Sequence, residues 1–82
     1  MARIAKVRQE TRADYYGIKA SALSRDAEKK LTALRMKIAK LSEPWAEVDT
    51  MIESATEAAL RAVDELIKQY KDSAEYLNEP MN

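Results

Sequence analysis

The chain has 82 residues, 34% of them charged, and neither cysteine nor histidine. That length limits it to one small domain; the missing cysteines exclude a disulfide framework and a thiolate metal site, and the commonest general base is absent along with the strongest nucleophile. The 14 Lys/Arg balance the 14 Asp/Glu, but residues 1–40 hold eleven basic against four acidic side chains (+7) and residues 41–82 three against ten (−7), a polarity suited to interaction.

One glycine and two prolines among many Ala, Leu, Ile, Glu and Lys predict an all-α protein. In the first segment Ile4, Val7, Thr11, Tyr15 and Ile18 recur at helical spacing, predicting a helix over about 3–16. Charges interrupt its apolar residues every few positions, unlike a signal peptide. No uncharged run reaches the roughly 18 residues of a membrane span. The expectation is a soluble, cytoplasmic protein with no membrane partner.

The second segment carries Leu23, Ala27, Leu31, Leu34, Ile38 and Leu41 at coiled-coil spacing, predicting a helix over about 22–41. Its stripe is rotated by roughly 150° from the first, so a single straight helix would not bury both. The sole glycine, Gly17, precedes the change of phase. A break near 17–21 and three helices are expected, with one continuous helix as the alternative.

The third segment is the longest. Trp45, Val48, Ile52, Ala55, Ala59, Val63, Leu66, Tyr70, Ala74 and Leu77 predict a helix over 44–77, opened by Ser42-Glu43-Pro44 and ended before Pro80, with a tail at 78–82. The short link makes the second and third helices antiparallel. A pivot there pairs residues whose numbers sum to about 86, setting Lys37 near Asp49 and Lys29 and Lys30 near Glu57. Trp45 would staple the turn. Leu60 and Ile67 on one edge, and Met51 and Ala62 on the other, widen the apolar arc of the third helix to about 160°, more than one neighbouring helix covers, so the first helix or a second subunit fills the remainder. A homodimeric helical bundle is expected, with Leu60 and Ile67 as its self-association residues.

Chemistry is sparse, and the expectation is a non-enzymatic chain with no cofactor, metal or catalytic residue. Asp49, Glu53 and Glu57 form a carboxylate ladder, but helical di-metal sites add histidine to such carboxylates. Arg25, Lys29 and Lys40 form a basic ridge around Met36, opposite the leucine seam. Together with Tyr16, an aromatic of the kind enriched in interfaces, they are the candidate partner-binding residues. The leading reading is an adaptor, inhibitor or small regulatory subunit, of the kind found among phage or plasmid accessory proteins, that binds another protein. The alternatives are a nucleic-acid-binding dimer using the basic ridge and a self-assembling structural subunit.

Overall fold

The computed structural model describes residues 10–81. They form three helices: α1 (Arg12–Tyr16), α2 (Ala20–Ser42) and α3 (Thr50–Leu77), with a 3-10 turn at Glu43–Trp45 between α2 and α3. The all-α class holds. α2 and α3 run antiparallel as a long hairpin, and α1 docks on the open end of that hairpin.

Local chemistry defines both ends of the short α1. Thr11 and Asp14 make a capping box: the Thr11 hydroxyl accepts from the Asp14 N–H, and the Asp14 carboxylate accepts from the Thr11 N–H, each at 3.1 Å. At the other end Gly17 adopts a left-handed φ of 70°. There the Gly17 N–H donates to the Asp14 carbonyl and the Ile18 N–H to the Ala13 carbonyl, both at 3.0 Å. That pair of bonds is the Schellman arrangement, and Ile18 packs back on Ala13 as the motif requires. The helix expected over 3–16 thus begins at Arg12 in its described part. Glu10 instead accepts a backbone hydrogen bond from Met81, and Thr11 bridges Pro80. Ile4 and Val7 lie outside the described residues. Tyr15, expected on the buried stripe, is exposed, and Ala13 is buried in its place.

Residues 17–19 separate α1 from α2, so the break expected near Gly17 is present. α2 reaches Ser42, whose hydroxyl donates to the Ala39 carbonyl at 2.9 Å. Pro44, read as the opening of the long helix, lies in the 3-10 turn. α3 begins only at Thr50, capped by Asp49, which accepts from the N–H groups of Met51 and Ile52 at 2.9 and 3.4 Å.

That longer connection moves the hairpin pivot. Contacts between α2 and α3 join residues whose numbers sum to 99: Arg35 with Asp64, Glu28 with Lys71, and Ser21 with Asn78. The expected pairings of Lys37 with Asp49 and of Lys29 and Lys30 with Glu57 do not form. Nor does Trp45 staple the turn, since it is exposed there.

Small side chains govern the packing. Ala13, Ala20 and Ala74 are buried where the three helices meet, with Ile18 and Leu77 against them. Further along the hairpin, Ser24 of α2 and Val63 of α3 are buried. Because Ala20 and Ser24 lie on the seam, α2 presents a face centred between its leucine stripe and Arg35. Ala27, Leu31 and Ile38 are half-buried, whereas Leu23, Leu34 and Leu41, expected in the seam, are exposed.

Two positive-φ residues give opposite predictions. At Gly17 a Cβ would meet nothing within 4 Å, so Gly17→Ala isolates the backbone cost of the left-handed conformation. Glu47 has φ 64° although it carries a side chain, and its N–H is already bonded to Glu53 at 3.1 Å. Gly17→Ala is expected to destabilise by about 1 kcal/mol and Glu47→Gly to stabilise by about half as much, after the entropy glycine adds to the unfolded chain. Urea titrations of the two variants with unchanged slope would show the midpoints moving in opposite directions.

Candidate functional site

Of the six α2 cations two are paired among the described residues, three share one strip, and Lys37 lies apart on the leucine side. Arg35 forms a two-point bond to Asp64, Nε to Oδ1 at 2.8 Å and Nη2 to Oδ2 at 3.2 Å, and Lys30 pairs with Asp26 at 3.0 Å. The Asp64 carboxyl is held below its ordinary value by that hydrogen bond and the guanidinium charge, outweighing the opposing effect of burial. The Arg35 guanidinium is pushed up by the same bond and charge. This fork matches Arg35 to Asp64 in position, which sets the hairpin's register more than its stability.

Arg25, Lys29 and Lys40 make no ion pair among the described residues. At about 100° per residue they share with Met36 one strip of α2 turned away from α3. Met36 is 60% exposed in the middle of that strip. At its N-terminal part, Arg25 and Lys29 border a shallow depression with Asp26, Glu28 and Thr32. The four predicted ridge residues are therefore brought together on one helix face.

Tyr16 lies apart from them, at the α1 end. It is exposed and meets Tyr15 edge-on, with ring centroids 5.2 Å apart. Beside this pair Arg12 stacks over the Tyr76 ring at 4.2 Å, donates to the Tyr76 carbonyl at 3.3 Å and approaches Glu79 at 3.8 Å. Tyr15, Tyr16, Tyr76 and Met81 border one open depression there. Tyr76 and Met81 were not singled out by sequence pattern, because their neighbourhood depends on the chain's C-terminal part returning to α1.

The carboxylate ladder divides into separate roles. Asp49 caps α3, and Glu53 accepts from the Glu47 N–H. Glu57 lies near Leu60, Arg61 and Asp64, where α3 meets Arg35. The helix-start pattern of an acidic residue just before an apolar run gives Asp49 its role from sequence; Glu53 needed the turn's geometry. Among the described residues no group of His, Cys, Asp or Glu is arranged to hold a metal ion, and no helix is long and apolar enough to cross a membrane.

Leu60 and Ile67 are half-buried on the side of α3 that α2 covers. Leu60 lies close to Arg35, Ala39 and Ser42. α2 therefore covers part of the edge that carries Leu60 and Ile67, while Met51 and Ala62 on the opposite edge are exposed. Comparison with protein-family models, curated proteins and solved structures finds no significant match.

Proposed function

We propose that this chain is a non-enzymatic, homodimeric helical protein that acts by binding another protein, as an adaptor, inhibitor or small regulatory subunit of phage or plasmid accessory type. The observation that carries the reading is the Arg25–Lys29–Met36–Lys40 strip. Among the described residues its cations make no ion pair, whereas Lys30 and Arg35 of the same helix do. An exposed methionine flanked by these cations suits a partner that offers an apolar socket with an acidic rim. Tyr16 supplies a second, separate anchor at the α1 end.

The same strip supports phosphate contact as the second reading. Zero net charge and the acidic second half weaken the long-range attraction that nucleic-acid binding draws on. A dimer presenting Arg25, Lys29 and Lys40 twice would make about six phosphate contacts and lose on the order of a thousandfold affinity between about 50 and 200 mM salt. Mobility-shift titrations on duplex and single-stranded DNA and RNA at the lower salt are expected to show no submicromolar binding. Nuclease-treated capture from lysate is expected to retain a protein that Met36→Glu or the R25A/K29A/K40A variant releases, with helical content unchanged. Submicromolar nucleic-acid binding that the triple variant abolishes would replace the protein reading with the nucleic-acid one.

A further inference from the structure

α3 segregates its side chains by charge. At about 100° per residue, every charged residue from Glu53 to Glu75 falls within an arc of about 120°. Asp64 and Lys71 lie at one margin of that arc, where they pair with Arg35 and Glu28 of α2. α2 covers one edge of the charge-free remainder, at Leu60, Val63 and Ile67. The other edge is open: Met51 is 79% exposed, and Leu66 and Tyr70 are exposed beside Ala55, Ala58 and Ala62. α2 leaves Leu23, Leu34 and Leu41 exposed on the same side of the hairpin. A groove of about 250 Å³ joins the two helices there, with Leu23 on one wall and Leu66 and Tyr70 on the other.

We propose that this apolar face is covered by a second copy of the chain. The two copies form a two-fold four-helix bundle in which α2 of each protomer lies along α3 of the other, both hairpin turns at one end. The arrangement rests on the dimeric reading above and is independent of what the basic strip binds.

The size of the core favours an occupant that is always present. Among the described residues the buried hydrophobics are three alanines and one valine, and no large side chain is fully buried. A hairpin with so small a core among its described residues gains stability when its open face is covered, and a second copy is available wherever the chain is. The face also has the right extent. Two helices sharing about 35 Å of length and about 20 Å of width offer roughly 700 Å², close to the ~800 Å² per partner of a stable complex.

Shape and charge then choose the crossed arrangement. The leucines make a ridge along α2, and Ala55, Ala58 and Ala62 make a trough along α3. With hairpin pairs summing to 99, Leu41 lies level with Ala58 and Leu34 lies less than one helical turn from Ala62. Laying α2 over the partner's α3 at the same height drops each leucine into a small-residue site. Lys37 rims the ridge beside the Lys30–Asp26 pair, and Glu65 and Asp72 rim the trough, so the crossing brings Lys37 to opposite charge. Stacking α2 on α2 would set lysine beside lysine.

The test uses the full chain and the absence of native cysteine. Sedimentation at micromolar concentration is expected to give twice the 9.3 kDa chain mass, with a melting temperature that rises with protein concentration. A Leu34→Cys/Ala62→Cys double variant is expected to oxidise to a covalent dimer, while Leu34→Cys alone stays uncoupled. Ala58→Glu, at a position exposed in the single hairpin, is expected to halve the mass or to unfold the chain on dilution. A single-chain mass with concentration-independent melting would overturn both the dimer and this arrangement, leaving the face to a different protein. A larger closed assembly would also overturn the arrangement. So would a dimer that fails to cross-link in the double variant, or one that keeps its mass and melting with Ala58→Glu.

Discussion

A Val63→Asp chain is expected to lose its cooperative helical fold at room temperature. Val63 is 8% exposed at the middle of the α2–α3 seam, and it is the largest side chain among the buried hydrophobics. A carboxylate there has no cation prepared for it, because Arg35, the nearest guanidinium of α2 along the seam, is already held at two points by Asp64. An unpaired buried charge costs about 3–5 kcal/mol. Small domains lie at the low end of the roughly 5–15 kcal/mol typical of folded proteins, so one such charge removes most of the stability. Val63→Ala is the control: it deletes two methyl groups and is expected to cost about 1.5–2 kcal/mol while leaving a folded chain. Circular dichroism during thermal melting distinguishes the two. A cooperative transition in Val63→Asp within a few degrees of the parent would show that this seam does not hold the hairpin together.

Ala13→Leu is expected to detach α1 while leaving the α2–α3 hairpin in place. Ala13 is 3% exposed and packs where Ala20 and Ala74 bring α2 and α3 close. The added methylenes must displace Ala20, Ala74, Ile18 or Leu77, and overpacking costs about 1–3 kcal/mol. A five-residue helix has no stability of its own to absorb this. The loss therefore falls on the α1 contacts, including the stacking of Arg12 on Tyr76 and the Met81–Glu10 backbone bond. Hydrogen exchange is the right measurement, because the opening is local. The Gly17 and Ile18 amides, bonded to Asp14 and Ala13, are expected to exchange roughly ten- to a hundredfold faster, with α3 amides near Val63 unchanged. Unchanged exchange at Gly17 and Ile18 would mean that α1 is held by its own caps rather than by this contact.

The contrast between α1 and the hairpin shows where sequence pattern is readable. Thr11-x-x-Asp14 and Gly17-Ile18 specify both ends of α1 through hydrogen bonds among neighbours, so the exact helix was encoded locally. The periodic stripe beginning at Ile4 pointed to a longer one. For α2, the leucine stripe predicts the helix but only one edge of the face it buries, at Ala27, Leu31 and Ile38, because periodicity registers where apolar residues are, not which of them meet. The small side chains Ala20 and Ser24 won the seam by allowing close approach. Arg25, Lys29, Met36 and Lys40, in contrast, share an exposed face in any helix, whatever packs on the other side.

Helix type, the three helices of the described residues, the break at Gly17 and the shared face of the basic residues were thus determined by the sequence alone. Each follows from φ/ψ preference and the 3.6-residue repeat, which act over a few neighbours. The tertiary structure decided the pivot at Asp49–Thr50, the Arg35–Asp64 register and the side of the hairpin on which Leu34, Leu41, Met51 and Leu66 are left open. An apolar arc wider than one helix can cover has two edges of nearly equal hydrophobicity. Only the path of residues 43–49 and the fit of Ala20, Ser24 and Val63 selected which edge α2 would bury.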